Sequence, residues 1–171
     1  MKHTEKSPRS RHIRPFNSPL ECGLRTLFIL NVARDAAMDL QRVVAYDYLL
    51  VHSGDVDGGP TSLHPAVPHR GTELLVKRSV IQAGLNQLLS KELIQIVFAP
   101  QGFLYKATDL TEAFIKLLTS SYAQELSERA AWVVDRFGHY ADRELEAFMT
   151  ENVGRWGAEF DRLTAVDLLE L

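Results

Sequence analysis

The sequence has only one cysteine, Cys22, which excludes an internal disulfide and makes a reducing cytoplasm the expected compartment. It has no apolar run of about 18 residues, so hydropathy predicts no transmembrane helix. The basic residues 1–15 lack the apolar stretch of a secretory signal. A formal net charge of -3 leaves little of the positive charge that a dedicated nucleic-acid binder carries.

The apolar pattern that is present favours a mainly α fold. Residues 19–34 have a broad apolar face, with Ser18 as the expected cap and Pro19 in the first turn. Residues 40–51 follow a cap at Asp39 and are apolar nearly all round, which is typical of a helix buried on several sides. Asp47 is the acid within this second helix, either exposed or hydrogen-bonded in the interior to a tyrosine or a backbone amide.

The stretch 72–108 organises the rest of the chain. Its apolar residues recur three or four apart up to Lys91, which predicts a helix. A β-branched and aromatic run at 93–98, a Pro-Gly turn at 99–102 and a second short run at 103–107 predict a β-hairpin. This order is that of a winged helix-turn-helix, in which the hairpin is the wing. That class commonly has glycine where Glu92 stands, because the helix ends there in a left-handed turn.

The chain is therefore predicted to have three parts. Residues 1–15 form a disordered basic arm, and residues 16–108 form a winged helix-turn-helix core that contains a long loop, 52–71. Residues 109–171 form long C-terminal helices. No proline or glycine interrupts the pattern over 109–137, which predicts one unbroken helix, and 141–171 follows as an acidic amphipathic helix. This last helix is either part of a bundle or a ligand for the groove of a basic partner.

The loop 52–71 holds four of the ten glycines and three of the seven prolines, and a loop of this length is usually functional or disordered. It imitates the start of a calcium loop at Asp55, but Ala66 stands where the bidentate glutamate should be. It also lacks the Gly-Lys-Ser/Thr ending of a phosphate-binding loop. Two interpretations stay open: an ordered loop for contact with another subunit, or a loop packed down by Leu63 and Val67.

Three sets of candidate site residues follow from this pattern, and no catalytic, cofactor or metal residue is assigned among them. A metal site was considered for five side chains whose spacing fits no regular site: His52, Asp55, Asp57, His64 and His69. The candidate partner-binding residues are Tyr46, Asp47, His52, Asp55, Asp57, His64, Trp132, Trp156 and Phe160. The candidate DNA-binding residues are Lys77, Arg78, Lys91 and Lys106, a sparser set than a base-reading helix normally carries.

Five segments carry a resemblance: FNSPLE at 16–21, LQR at 40–42, YDYLLVHSGD at 46–55, GGP at 58–60 and LHP at 63–65. Together they resemble the middle component 2 family of bacterial ABC-three-component systems, the Lamassu-like anti-phage and anti-plasmid operons, over about residues 16–140. The resemblance implies a small winged-helix subunit without known catalytic residues. It would accompany an SMC-like ABC ATPase and a separate effector, often a nuclease, as a non-catalytic bridging subunit in the cytoplasm, with possible non-specific DNA contact inside the complex.

Two other functions stay open on the residues alone. A winged-helix transcription regulator would bind duplex DNA, dimerising through residues 110–140. A metal-dependent hydrolase would use His52, Asp55, His64 and His69.

Overall fold

The computed structural model describes residues 17–66 and 70–167, with the side chains of 70–73, 75 and 157–167 left undescribed. The predicted arm 1–15 and part of the loop therefore lie outside the described residues. In the described part the predicted mainly helical fold with a small hairpin is confirmed. Its elements are α1 (Pro19–Ala33), α2 (Leu40–Val51), α3 (Arg70–Ser90), β1 (Ile94–Ala99), β2 (Gly102–Ala107), α4 (Asp109–Ile115), α5 (Ser121–Phe137) and α6 (Asp142–Asp167).

The first two helices begin at the predicted caps. Ser18 Oγ accepts a hydrogen bond of 3.2 Å from the backbone N–H of Glu21, and Pro19 occupies the first turn. Asp39 Oδ1 accepts one of 2.7 Å from the N–H of Arg42. Each cap satisfies a backbone donor that the first helical turn leaves without a partner, which fixes where the helix starts.

The hairpin has an uninterrupted antiparallel register from the pair Ile94–Ala107 to the pair Ala99–Gly102. Helix α3 ends just before it in a left-handed residue, Glu92, whose φ is 56°. The helix therefore terminates as expected for the wing class although glutamate replaces glycine. A further single-residue bridge joins Met38, which lies between α1 and α2, to Tyr105 on the outer side of β2.

The prediction of one helix over 109–137 was wrong, because the chain breaks between Ile115 and Ser121. Ser120 is extended and its Oγ accepts a 3.1 Å hydrogen bond from the N–H of Ala123, so it starts a new helix. A serine that caps offers the backbone an alternative to continuing the helix, and it needs no proline or glycine to do so. Helix α4 starts at Thr108, which forms a capping box with Thr111.

Helices α1 and α2 form the centre of the fold. Every residue of α2 from Val43 to Val51 is buried, as its apolar circumference predicts. Helix α6 packs against α2 and α3 and buries Leu145, Met149 and Trp156, so one face of its described part belongs to the bundle of this chain. None of the described helices is both long and apolar enough to cross a membrane.

Helices α1 and α3 cross at two glycines. A Cβ added to Gly84 would lie 2.3 Å from the carbonyl oxygen of Pro19 and 2.7 Å from the backbone nitrogen of Gly23. Both neighbours are backbone atoms, which cannot rotate away as a flexible side chain can. The close approach of the two helices therefore depends on glycine at this position.

We expect Gly84→Ala to destabilise the protein by several kcal/mol, because the α1–α3 crossing must open. The matched control is Gly154→Ala in α6, where an added Cβ meets nothing within 4 Å. That change should stabilise the protein by about 0.5–1 kcal/mol through helix propensity. Urea unfolding followed by circular dichroism measures both, and equal stabilities for the two variants would contradict the crossing argument.

Candidate docking site on the loop between α2 and α3

A buried ion pair joins α1 to α2. Arg25 of α1 and Asp47 of α2 have fully buried side chains, and they meet through two parallel hydrogen bonds. Arg25 Nε donates to Asp47 Oδ1 at 2.6 Å, and Arg25 Nη2 donates to Asp47 Oδ2 at 3.0 Å. Lys77 of α3 is also buried, with its Nζ 4.0 Å from Asp47 Oδ2. One carboxylate thus lies between cations from two other helices.

The surroundings keep these groups charged. Burial alone would raise the pKa of Asp47, but the charge and hydrogen bonds of Arg25 outweigh it and lower that pKa. Burial likewise opposes the positive charge of Arg25, and Asp47 nevertheless raises the pKa of the guanidinium. Cys22 Sγ lies 3.2 Å from Arg25 Nη2, yet burial, with the charge of Asp47, raises the pKa of the thiol to about 11. Cys22 is therefore a protonated core residue rather than a nucleophile.

The described part of the loop, 52–66, is held by its own polar groups. Tyr48 Oη donates to Asp55 Oδ2 at 2.6 Å, and the N–H of Gly54 donates to Ser62 Oγ at 3.0 Å. The backbone carbonyl of Val51 accepts from two loop N–H groups, those of Leu63 and His64, at 2.9 and 3.0 Å. The loop therefore returns to the end of α2 as an ordered excursion.

The glycine-rich part of the loop also packs closely. A Cβ at Gly59 would lie 2.1 Å from the carbonyl oxygen of Ser53, so a larger residue does not fit there. This steric limit accounts for one of the two neighbouring glycines, and Gly58 has a positive φ of 72°.

Helix α5 fixes the loop from the other side. His64 Nε2 lies 2.8 Å from Tyr122 Oη, and the two rings stack at an angle of 11°. Arg129 donates from Nε and Nη2 to the carbonyl oxygen of Thr61, at 3.1 and 2.9 Å. Burial, together with the charges of Arg25 and Lys77, lowers the pKa of His64 to about 4. The imidazole is neutral near pH 7, so its Nε2 can accept the hydrogen bond of the tyrosine hydroxyl.

Four of the nine predicted partner-binding residues point inward. Tyr46, Asp47, His52 and Trp156 are buried, so none of them offers a side chain to a partner in this structure. These side chains make their aromatic and polar contacts within the protein. Trp156, for example, stacks on Tyr48 with ring centroids 5.6 Å apart. The reason is the apolar circumference of α2, which leaves no solvent-facing side on which Asp47 could lie.

The remaining predicted residues are more accessible. The side chain of Asp57 is 94% exposed, whereas Asp55, His64 and Trp132 are half-buried. Trp132 packs edge-on against Phe137 on its own helix, with ring centroids 5.9 Å apart. Phe160 lies in α6, but its side chain is outside those described. Asp57 at the loop tip is thus the predicted residue that a partner can reach most freely.

Arg25 is the site residue that sequence reasoning missed. Of the two alternatives for Asp47, the buried one is confirmed, but its hydrogen-bond partner is Arg25 and not a tyrosine or a backbone amide. The two residues are 22 positions apart on different helices, so spacing alone does not connect them. The available signal was the presence of one arginine within the apolar face of α1.

The predicted cations do not form one patch. Lys77 is buried against Asp47, so it cannot contact a nucleic-acid phosphate in this structure. Arg78 is exposed and donates to Gln41 Oε1 at 2.9 Å. Lys91 is exposed beyond the end of α3, and Lys106 lies half-buried on β2.

No three His, Cys, Asp or Glu side chains come together as a metal site among the residues that the structure describes. His69, the fifth residue of the metal hypothesis, falls outside them.

These features define a small helical protein whose longest described loop is held in place by hydrogen bonds to α2 and α5. The chain belongs to the ABC-three component (ABC-3C) system Middle Component 2 family, whose family model matches residues 15–159. No curated protein and no solved structure matches the chain. Membership of a multi-component system implies partner subunits.

We expect Asp47→Asn to destabilise the fold by about 3–5 kcal/mol, because it leaves two buried cations without their carboxylate. Replacing the whole charged set, as Arg25→Met/Asp47→Leu/Lys77→Met, should recover most of that loss, since no buried charge then remains. The control Glu112→Gln removes exposed ion pairs with Lys116 and Arg34 and should stay within about 1 kcal/mol of wild type. Denaturant unfolding gives these values, and a triple variant less stable than Asp47→Asn would contradict the reasoning.

His64 should make stability depend on pH. Its pKa is lower in the folded state, about 4, than its ordinary value of 6.5, so the folded chain binds fewer protons between those values. This contribution is complete above pH 6.5 and is lost as the pH falls towards 4, by at most about 1.4 kcal/mol per pH unit. His64→Gln should flatten the profile in that window, whereas the exposed His139→Gln should not. If the unfolding free energy of His64→Gln changed with pH as steeply as that of wild type, the pH dependence would come from another residue.

Proposed function

We propose that this protein is a non-catalytic winged-helix accessory subunit. In this proposal it bridges an SMC-like ABC ATPase and an effector in an anti-phage or anti-plasmid defence complex in the cytoplasm. The observation that carries the proposal is the family match over residues 15–159, which spans both the ordered loop and the hairpin.

The winged-helix part of the proposal is supported by the order of elements. Helix α1, the single-residue bridge at Met38, helices α2 and α3 and then the hairpin follow one another along the chain. In a winged helix, a short strand after the first helix pairs with the return strand of the wing, and the Met38–Tyr105 bridge occupies that place. The departure from the class is the long connection between α2 and α3, where a helix-turn-helix has a short turn.

The loop is the proposed contact for the ATPase or the effector. A surface that is already ordered loses little conformational freedom on binding, so more of its interaction energy appears as affinity. The hydrogen bonds to Thr61 from Arg129 and to Asp55 from Tyr48 provide that order before a partner arrives. The exposed tip then presents the carboxylate of Asp57, which lies 3.9 Å from Arg155 Nη2 of α6, to the partner.

The non-catalytic part of the proposal rests on how the reactive side chains are held. Cys22 is buried with a raised pKa, and His64 is occupied by Tyr122. A nucleophile needs a lowered pKa or an adjacent base, and Cys22 has the opposite environment.

We expect the chain to co-purify with the ATPase and effector subunits of its own ABC-three component system when all are expressed together. Asp57→Arg should weaken that association at least tenfold, because it reverses the charge at the loop tip without touching the interior. The matched control is Asp135→Arg on the exposed side of α5, which should bind as wild type. A wild-type chain that elutes as a separate monomer beside its neighbours would contradict the proposal.

The same preparation separates this function from a DNA-binding regulator. Specific, nanomolar-scale binding of the isolated chain to duplex DNA, lost in Arg78→Glu/Lys91→Glu, would favour the regulator. Lys77→Glu is unsuitable for that purpose, since a buried acid beside Asp47 would disturb the fold itself.

A further inference from the structure

The outer half of the hairpin extends the apolar core into solvent. At its base the inward face of the two strands buries Ile94 and Ala107. The same face continues along the strands to Ile96, Phe98 and Phe103, because alternate residues of a strand share a face. Phe98 is 77% exposed and Phe103 is 63% exposed, and their rings meet edge to face at 5.4 Å. The two large aromatic residues thus cover each other and little else.

Beside this face, no described residue pairs with the outer backbone edge of β1. Tyr105 exchanges both of its backbone hydrogen bonds with Met38, at 2.7 and 2.9 Å, so its bonding groups point away from β1. Ile96 lies directly opposite Tyr105 in the register. In an antiparallel pair, two opposite residues either both point their N–H and C=O at each other or both point them outward, so those of Ile96 point away from β2. Phe98, two residues further along, is oriented likewise. These outward groups make no backbone hydrogen bond to any residue in the described part of the chain.

This edge lacks the features with which edge strands are normally protected. No charged residue occurs from Ile94 to Tyr105, and neither strand contains a proline. The register runs one-to-one without a bulge. Natural proteins usually place a lysine, a proline or a bulge at an exposed edge to prevent unwanted strand pairing. An unprotected apolar edge is therefore the form expected where pairing is used.

We propose that the open edge of β1 binds an extended segment of a partner subunit as an added strand. The segment's backbone pairs with Ile96 and Phe98, and its alternate side chains are apolar and pack on Phe98 and Phe103. The other edge of the sheet already accepts such an addition, from Met38 of the same chain. This inference rests on the proposed function in one respect, that the chain works within an assembly.

The size and the charge of this surface indicate which kind of molecule binds at the edge of β1. Two phenylalanines bury about 150–250 Å² each, so even with the backbone edge this surface is smaller than the roughly 800 Å² that each side of a stable interface needs. Two copies joined here alone would not form a stable dimer, whereas a larger subunit can also use the loop. The edge has no charged side chain to pair with nucleic-acid phosphates or with a charged helix, which favours an apolar strand.

The test uses the full chain co-expressed with the ATPase and effector subunits of its system. Phe98→Lys places a charge in the path of the added strand and should weaken association at least tenfold. The control Gln101→Lys adds the same charge at the exposed turn, outside the edge, and should associate as wild type. Thermal unfolding of both isolated variants should match wild type, since neither position contributes to the core.

A second readout follows the backbone itself. Amide hydrogen exchange at single-residue resolution should show Ile96 and Phe98 exchanging fast in the free chain and slowly in the complex. Val97, whose N–H points towards β2, should be protected in both states. Unchanged exchange at Ile96 and Phe98 in the complex would overturn the inference.

The outcomes separate the two proposals. If wild type co-purifies and Phe98→Lys does so equally, the added strand is refuted while the accessory function stands. If the wild-type chain associates with neither subunit, both proposals fail. Concentration-dependent dimerisation of the isolated chain, abolished by Phe98→Lys, would identify a second copy as the occupant and would also refute the partner strand.

Discussion

The fold depends on keeping one carboxylate, Asp47, inside the protein. Removing a charge from water is costly, and the cost is offset only when the partner geometry is close to ideal. Arg25 supplies that geometry through two parallel hydrogen bonds, and Lys77 adds a third helix to the arrangement. Because a misplaced helix would leave a buried charge unpaired, the pair specifies how α1, α2 and α3 meet. The glycine crossing is a separate constraint, since it brings α1 and α3 together whereas the ion pair joins α1 to α2.

The loop is ordered by its contacts with α2 and α5. His64 rests on Tyr122 while its imidazole is kept neutral by burial and by the nearby charges of Arg25 and Lys77. Burial and these charges lower the pKa of His64 and so favour the neutral form of a residue that contacts α5 from the loop. A segment rich in glycine and proline becomes a defined surface in this way, which is what an interaction subunit requires and what a linker does not.

Local features were predictable from the sequence because their causes are local. The caps at Ser18 and Asp39 and the hairpin turn depend on residues within three or four positions, and all appear as predicted. The break before Ser121 was missed because a serine cap is a weaker signal than proline. The Arg25–Asp47 pair and the inward direction of Tyr46 and His52 were missed for another reason: an all-apolar helix carries no periodicity that tells which side faces which neighbour.

The distribution of charge and apolar surface supports an assembled state. A free monomer gains by placing charged groups in water and aromatic groups inside. Here Arg25, Asp47 and Lys77 are buried, while Phe98 and Phe103 lie in solvent on an uncharged hairpin. The buried charges are explained within the chain, because each contributes to how the helices are arranged. The exposed aromatics have no such explanation within the described residues, and a strand contributed by a partner subunit would provide one.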